Sequence, residues 1–339
     1  MKLQLPFRGA IMFREKGFRQ VLKKRKLNEK EIAFTVKAAR EFVEYFKKEK
    51  IPFKTAREGQ LKEYLSLLIE ERENSLERLL AIARYCHFAG KNDYHVYFAS
   101  ILNGRDILPL IGKKLGEVAG EEIRRRVFEG FELPPLGSPS DEYPKLTKTI
   151  VDRLEAELSA ATCREILTGN YHEIPAETFK DKKERFDRAN SIDKYLAGEH
   201  ERLVAELADF AKKGKVWYEQ QITPEVVEFV KRNPEIQNGV RIGNKIYVSK
   251  IPYAPSDYLK EKDPKMKRYY ACHCPLARTA IRDGTPEISS TFCYCSGGFE
   301  KIAFDTIFGE STRVELLESV LKGDSRCRFA VTIPEGKMK

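Results

Sequence analysis

Cys272, Cys274, Cys293, Cys295 and Cys327 are five of the chain's seven cysteines, and they fall within 56 of its 339 residues. Their order is Cys-x-Cys, eighteen residues, Cys-x-Cys, thirty-one residues, Cys. Thiolates are soft ligands, and a tetrahedral zinc site draws four such groups from loops and turns that converge. Pro275 follows the first pair and Ser296-Gly297-Gly298 follows the second, which predicts a tight turn after each. Cys293 and Cys295 also precede a predicted helix, whose N-terminal dipole favours the thiolate. His273 stands between two of the thiols, either as a ligand or as a group that orients one. The metal candidates are therefore Cys272, Cys274, Cys293, Cys295, Cys327 and His273. Zinc is the expected metal, because no ferredoxin spacing occurs. An iron–sulfur cluster is the alternative, since four cysteines are available. Buried structural thiols and redox disulfides are the other readings of the cluster.

The segment from Cys293 to Phe329, CYCSGGFEKIAFDTIFGESTRVELLESVLKGDSRCRF, resembles the end of the 4-vinyl-reductase-type domain. That domain is the sensory module of aromatic-compound-responsive bacterial transcription regulators. Cys293, Gly309, Gly323-Asp324 and Cys327 match its pattern without a gap. The resemblance implies that Cys293 and Cys327 bind structural zinc beside a pocket for a small, mainly apolar or aromatic molecule. It departs at the two middle ligands, a Glu and a Cys in the family, which fall at Leu316 and Ser319. Cys272, Cys274 and Cys295 are the substitutes at hand. Residues 217–334 are also similar to a prokaryotic family, itself uncharacterised, marked by Cys-His-Cys-Pro and Cys-Tyr-Cys-Ser. That family is related in appearance to the aminothiazoline-carboxylate hydrolase group.

The elements that must position these residues read as α+β. Residues 1–215 show helical periodicity, over 29–49, 60–89, 146–168 and 191–213. Three prolines in Leu133-Pro134-Pro135-Leu136-Gly137-Ser138-Pro139 exclude helix there and suggest a subdivision at 132–144. From 216 the character changes. Thr223-Pro224 opens a short helix, and Gly243-Asn244 joins two strand-like runs in a hairpin. Residues 297–308 predict a helix with Phe299, Ile302, Ala303, Thr306 and Ile307 in register. Residues 311–322 and 326–333 form a second hairpin through Gly323-Asp324-Ser325. The expected domains are a helical one over 1–215 and an α+β metal-binding one over 216–339.

Charge adds little to this. Of the net +10, residues 1–50 carry 15 − 6 = +9, densest at Lys23-Lys24-Arg25-Lys26. Without a nucleic-acid-binding signature this reads as a solvated surface, and nucleic acid is not an expected partner. No run of apolar residues is long enough to span a membrane. The N-terminus lacks a secretory pattern, so the expected location is cytoplasmic. Size and an odd cysteine count exclude a small disulfide framework. Cys86 and Cys163 read as packed core thiols. Arg278 and Arg282, four apart, would either hold a carboxylate or face solvent. Trp217 is expected in a core, and Asp324 is expected to serve its turn. His87, His95, His172 and His200 read as structural. No Walker loop, dinucleotide fingerprint, Gly-x-Ser-x-Gly or His-Glu-x-x-His occurs. The expected function is a zinc-binding protein with a small-molecule-binding, sensory role and a mainly structural metal. The alternatives are a zinc-dependent hydrolase of a small amide or cyclic substrate, and an iron–sulfur or thiol redox protein. A protein partner or a second copy of the chain stays open.

Overall fold

The computed structural model describes residues 13–337 and has an α+β fold. The chain forms two compact units: residues 1–103 with 133–139, and residues 104–132 with 140–339.

Unit 1 is helical: α1 (Glu15–Lys24), α2 (Glu29–Lys48), α3 (Glu58–Glu70), α4 (Leu76–Ala89) and α5 (Asn92–Asn103). Helix α2 starts where its sequence prescribes. Asn28 accepts from the Glu31 backbone N–H while the Glu31 carboxylate accepts from that of Asn28. Its Ile32, Val36, Phe42, Val43 and Phe46 enter a core with Phe53, Tyr64, Tyr85 and Tyr94. The predicted run over 60–89 is two helices, because Ser75 caps a new one. The proline segment is non-helical as expected and packs on this unit: Asn74 Nδ2 donates to the Leu136 carbonyl (2.8 Å). Much of the basic charge here is paired, Lys23 with Glu29 and Glu15 with both Arg19 and Arg40.

Unit 2 opens with α6 (Ile107–Ala119), α7 (Glu121–Phe128), α8 (Tyr143–Glu157), α9 (Ala160–Leu167), α10 (Lys180–Arg188) and α11 (Ile192–Lys213). The predicted helix over 146–168 is α8 and α9, divided where Ser159 caps α9. A two-residue ribbon, β1 (Val216–Trp217) and β2 (Gln220–Gln221), precedes α12 (Pro224–Lys231), which Thr223 caps. Then come β3 (Val240–Ile242), β4 (Lys245–Ser249), α13 (Pro255–Lys260), α14 (Pro264–Ala271), α15 (Arg278–Asp283), α16 (Tyr294–Phe308), β5 (Arg313–Glu318) and β6 (Arg328–Thr332). The four longer strands make one antiparallel sheet in the order β3-β4-β6-β5. Both predicted hairpins are present.

The division between units falls at Asn103/Gly104 and not near 215. Ile107, Ile111, Ile150 and Leu154 share a core with Leu276, Ala277 and Phe292. Ile192 and Leu196 share another with Ile246, Val248, Phe329 and Val331. Periodicity assigned these helices to the first half because they are helical; burial assigns them to the sheet.

Helix α16 differs from its sequence reading. Gly297 and Gly298 lie inside it, so no turn follows Cys295. A Cβ on Gly298 would sit 2.5 Å from the Gly169 carbonyl oxygen, so this glycine lets α16 press against the end of α9. The helix is buried on more than the predicted face, at Cys295, Gly298, Glu300, Ile302, Phe304, Ile307 and Phe308. Among the described residues, no helix is long and apolar enough to cross a membrane.

Candidate metal centre

Cys293 caps the N-terminus of α16, and Cys327 immediately precedes β6. The sheet and the helix pack on each other through Gly297, Val314 and Phe329, and each of the two thiols is the largest influence on the other's titration. Both residues are 8% exposed. Ser319, fully buried, donates its hydroxyl to Cys293 Sγ at 3.0 Å. Two further contacts fix that serine: Leu321 N donates to its Oγ (3.1 Å), and its own N–H donates to Asp324 Oδ2 (2.8 Å). Asp324 thus does the turn chemistry expected of it, and the turn in its sequence sets the serine against the thiol.

The pair is electrostatically uneven. Cys293, ahead of burial, holds the Cys327 thiol below its ordinary value. Cys327, and then burial, pushes the Cys293 thiol up.

Cys272 ends α14, its N–H bonded to the Arg268 carbonyl (3.1 Å). Burial, and then the charge of Cys327, pushes its thiol up to about 12. The expected turn at Pro275 is present, with Arg278 N donating to the Cys274 carbonyl (2.9 Å). Burial also raises Cys274, which feels Cys272 and Cys295 as charges. Cys295 lies in the first turn of α16 and is pushed up to about 12 by burial, against the pull of Lys250. His273 gives its Nε2 proton to the Ile251 carbonyl (2.6 Å), and its ring meets Tyr253 edge-on. Its hydrogen bond is to backbone, which leaves Nδ1 as the nitrogen with a free lone pair.

One part of the centre carries no cysteine. The Lys250 ammonium and the Glu300 carboxylate lie 3.4 Å apart with side chains only 9% and 4% exposed. Lys250 Nζ also stands 4.5 Å from the centre of the Phe299 ring, against which His172 packs. Glu300 Oε1 has no hydrogen-bond partner. Burial raises the Glu300 carboxyl, and Lys250 opposes that rise. Lys250 acts electrostatically on Cys272, Cys295, Cys327, His172 and His273, which marks it as a hub. The sequence reading missed Lys250 and Glu300. Only the fold shows that Glu300 lies among the buried Gly298, Ile302 and Phe304, and that Lys250 follows directly on β4.

The remaining candidates are placed as follows. Arg278 stacks between Tyr253 (4.1 Å) and Tyr269 (5.2 Å) instead of facing solvent, and Arg282 pairs with Asp141 and Asp283. Trp217 is in a core and donates to Glu206 (2.9 Å). Cys86 and Cys163 are buried core thiols as expected, Cys86 in the unit 1 core and Cys163 in a unit 2 core that also includes Cys295 and Cys274. His87 and His95 stack on each other, and His200 bonds to the Lys231 carbonyl.

A zinc ion would need four donors here. Among the described residues, no three His, Cys, Asp or Glu side chains already converge closely enough to hold a metal ion. The fit is partial. Cys293 and Cys327 influence each other's titration, Cys272 is their electrostatic neighbour, and Ser319 closes one side. Residues 253–338 match the model of a family of unknown function, DUF6144. No curated protein and no solved structure matches the chain.

Proposed function

We propose that the chain is a zinc-binding protein, with a centre formed by Cys293, Cys327 and Cys272 and a fourth donor drawn from Cys274, Cys295 and His273 when the metal binds. The gathering of five free cysteines in this part of unit 2, four of them buried (Cys272, Cys293, Cys295 and Cys327), carries this reading. Burial raises Cys272, Cys274 and Cys295, so these thiols hold their protons unless a cation replaces them. Zinc is a cation that does this, binding thiolates and releasing protons. The resemblance adds support from a different direction. It places a ligand at position 319, and Ser319 is the group hydrogen-bonded to Cys293. With serine there, Cys272 is the thiol nearest in charge to Cys327.

Bound zinc would tie the loop before β6 to the N-terminus of α16 and to the end of α14. That is a structural role. Beside it, Lys250 and Glu300 make a buried ion pair, with Glu300 Oε1 facing the ammonium at 3.4 Å. The test is metal content of the full-length protein. About one zinc per chain is expected, lost in Cys293→Ser and Cys327→Ser and kept in Cys86→Ser. Equal zinc in all four proteins would refute the assignment.

A further inference from the structure

We infer that the angle between α10 and α11 is a binding site for a small molecule carrying a phosphomonoester. A cavity of about 520 Å³ opens there, lined by Arg185, Arg188, Lys194 and Arg202 and by no carboxylate. Its size is that of a small-molecule pocket. No cysteine lines it, so the inference is independent of the zinc reading.

The cations are held ready. Glu199, 5% exposed, accepts from Arg185 Nε (2.5 Å) and Nη2 (2.9 Å) and from Arg202 Nε (3.2 Å). Among the described residues, those bonds leave Nη1 of Arg185 and both Nη of Arg202 for an oxyanion, which such donors bind strongly. Lys194 Nζ pairs with no carboxylate among the described residues, and Arg188 meets only the exposed Glu184, at 3.3 Å. Asp187 and Asp193 are engaged elsewhere, with Lys183 and Arg241. Glu199 and Glu184 therefore match two of the four positive charges. The unmatched remainder is about the charge of a phosphomonoester at neutral pH. Helix α11 adds its positive end: it is 22 residues long, Ser191 caps it, and Asn190 and Lys194 on either side of that cap line the cavity.

The rest of the lining is Ala189, Tyr195 and Gly198. Gly198 stands within a helix, where glycine is a poor former. A Cβ there would meet no neighbouring side chain but Arg202, 3.9 Å from Nη2. That open surface receives the carbon body of a guest beside its charged end, which favours a phosphomonoester over bare phosphate. Glu184, Asp187 and Asp193 along the same two helices disfavour a long polyanion.

The full-length protein would be titrated by calorimetry at low ionic strength with phenyl phosphate, with inorganic phosphate and with a short single-stranded oligonucleotide. One phenyl phosphate per chain is expected, with inorganic phosphate weaker. Binding should weaken about tenfold in Lys194→Gln and in Arg188→Gln. It should vanish in Gly198→Glu, whose carboxylate would occupy the cavity. Lys213→Gln removes a charge at the far end of α11 and should bind as the unaltered protein does. Absence of phenyl phosphate binding, or an equal loss in Lys213→Gln, would overturn the inference. So would inorganic phosphate or the oligonucleotide binding as tightly as phenyl phosphate. Should Gly198→Glu fail to fold, as circular dichroism would show, the Lys194→Gln and Arg188→Gln titrations carry the test.

Discussion

Cys293 and Cys327 each immediately precede an element whose own sequence fixes its place. Cys293 caps α16, and Cys327 leads into a strand paired on both sides. Spacing and resemblance singled these two residues out in the sequence. His273 was left open between two roles, and its Nε2 bond to the Ile251 carbonyl, which leaves the Nδ1 lone pair free, is compatible with both. The Lys250–Glu300 pair was not legible, because a charged residue on a helix reads as solvated until the packing is known. Its energetics give a test. Replacing one member of a buried pair strands the other, which costs about 3–5 kcal/mol. Lys250→Met should therefore lower unfolding free energy in urea by about that amount, and Lys250→Met with Glu300→Leu should recover most of it. If the single change were neutral, the pair would not be an interior contact.

Helix starts were the best-read elements. Asn28 with Glu31, Thr223 with Pro224, and Gly243 in its hairpin behave as their chemistry dictates. The breaks at Ser75 and Ser159 were read through, since apolar period continues across both caps. Helix α16 was misread at its glycines, which serve close approach. Gly298→Ala should cost about 1–3 kcal/mol by overpacking against Gly169, and thermal melting would show it. An unchanged melting temperature would mean α9 can move aside.

Between α10 and α11, Glu199 makes an equally specific prediction. Burial alone would raise its carboxyl, but the two-pronged Arg185 guanidinium more than offsets this and holds it below the ordinary value. The folded state then binds fewer protons than the unfolded one, so stability rises with pH through the acid range. The contribution is complete above the ordinary carboxylate value near 4.5 and is lost as pH falls through the lower folded value. Glu199→Gln should cost about 2 kcal/mol at neutral pH and should flatten the acid limb of a stability–pH curve. An identical acid limb in both proteins would remove Glu199 from that role.

Across the whole molecule, sequence period recognised helices and hairpins but not which of them share a core. Leu276 and Ala277 lie far along the chain from Ile111 and Leu154, and no local pattern announces that they pack together. Hence the α+β class was legible and the boundary at 103/104 was not. The unit 1 core contains none of the clustered cysteines. Phe42→Ala should therefore lower stability by about 3–5 kcal/mol and leave zinc content unchanged.

The central claim is thiolate ligation, and X-ray absorption at the zinc edge of the purified full-length protein tests it most directly. The account predicts a sulfur-dominated shell at about 2.3 Å, with fewer sulfurs in Cys272→Ser. A shell of nitrogen and oxygen alone, or no zinc in the protein, would contradict it.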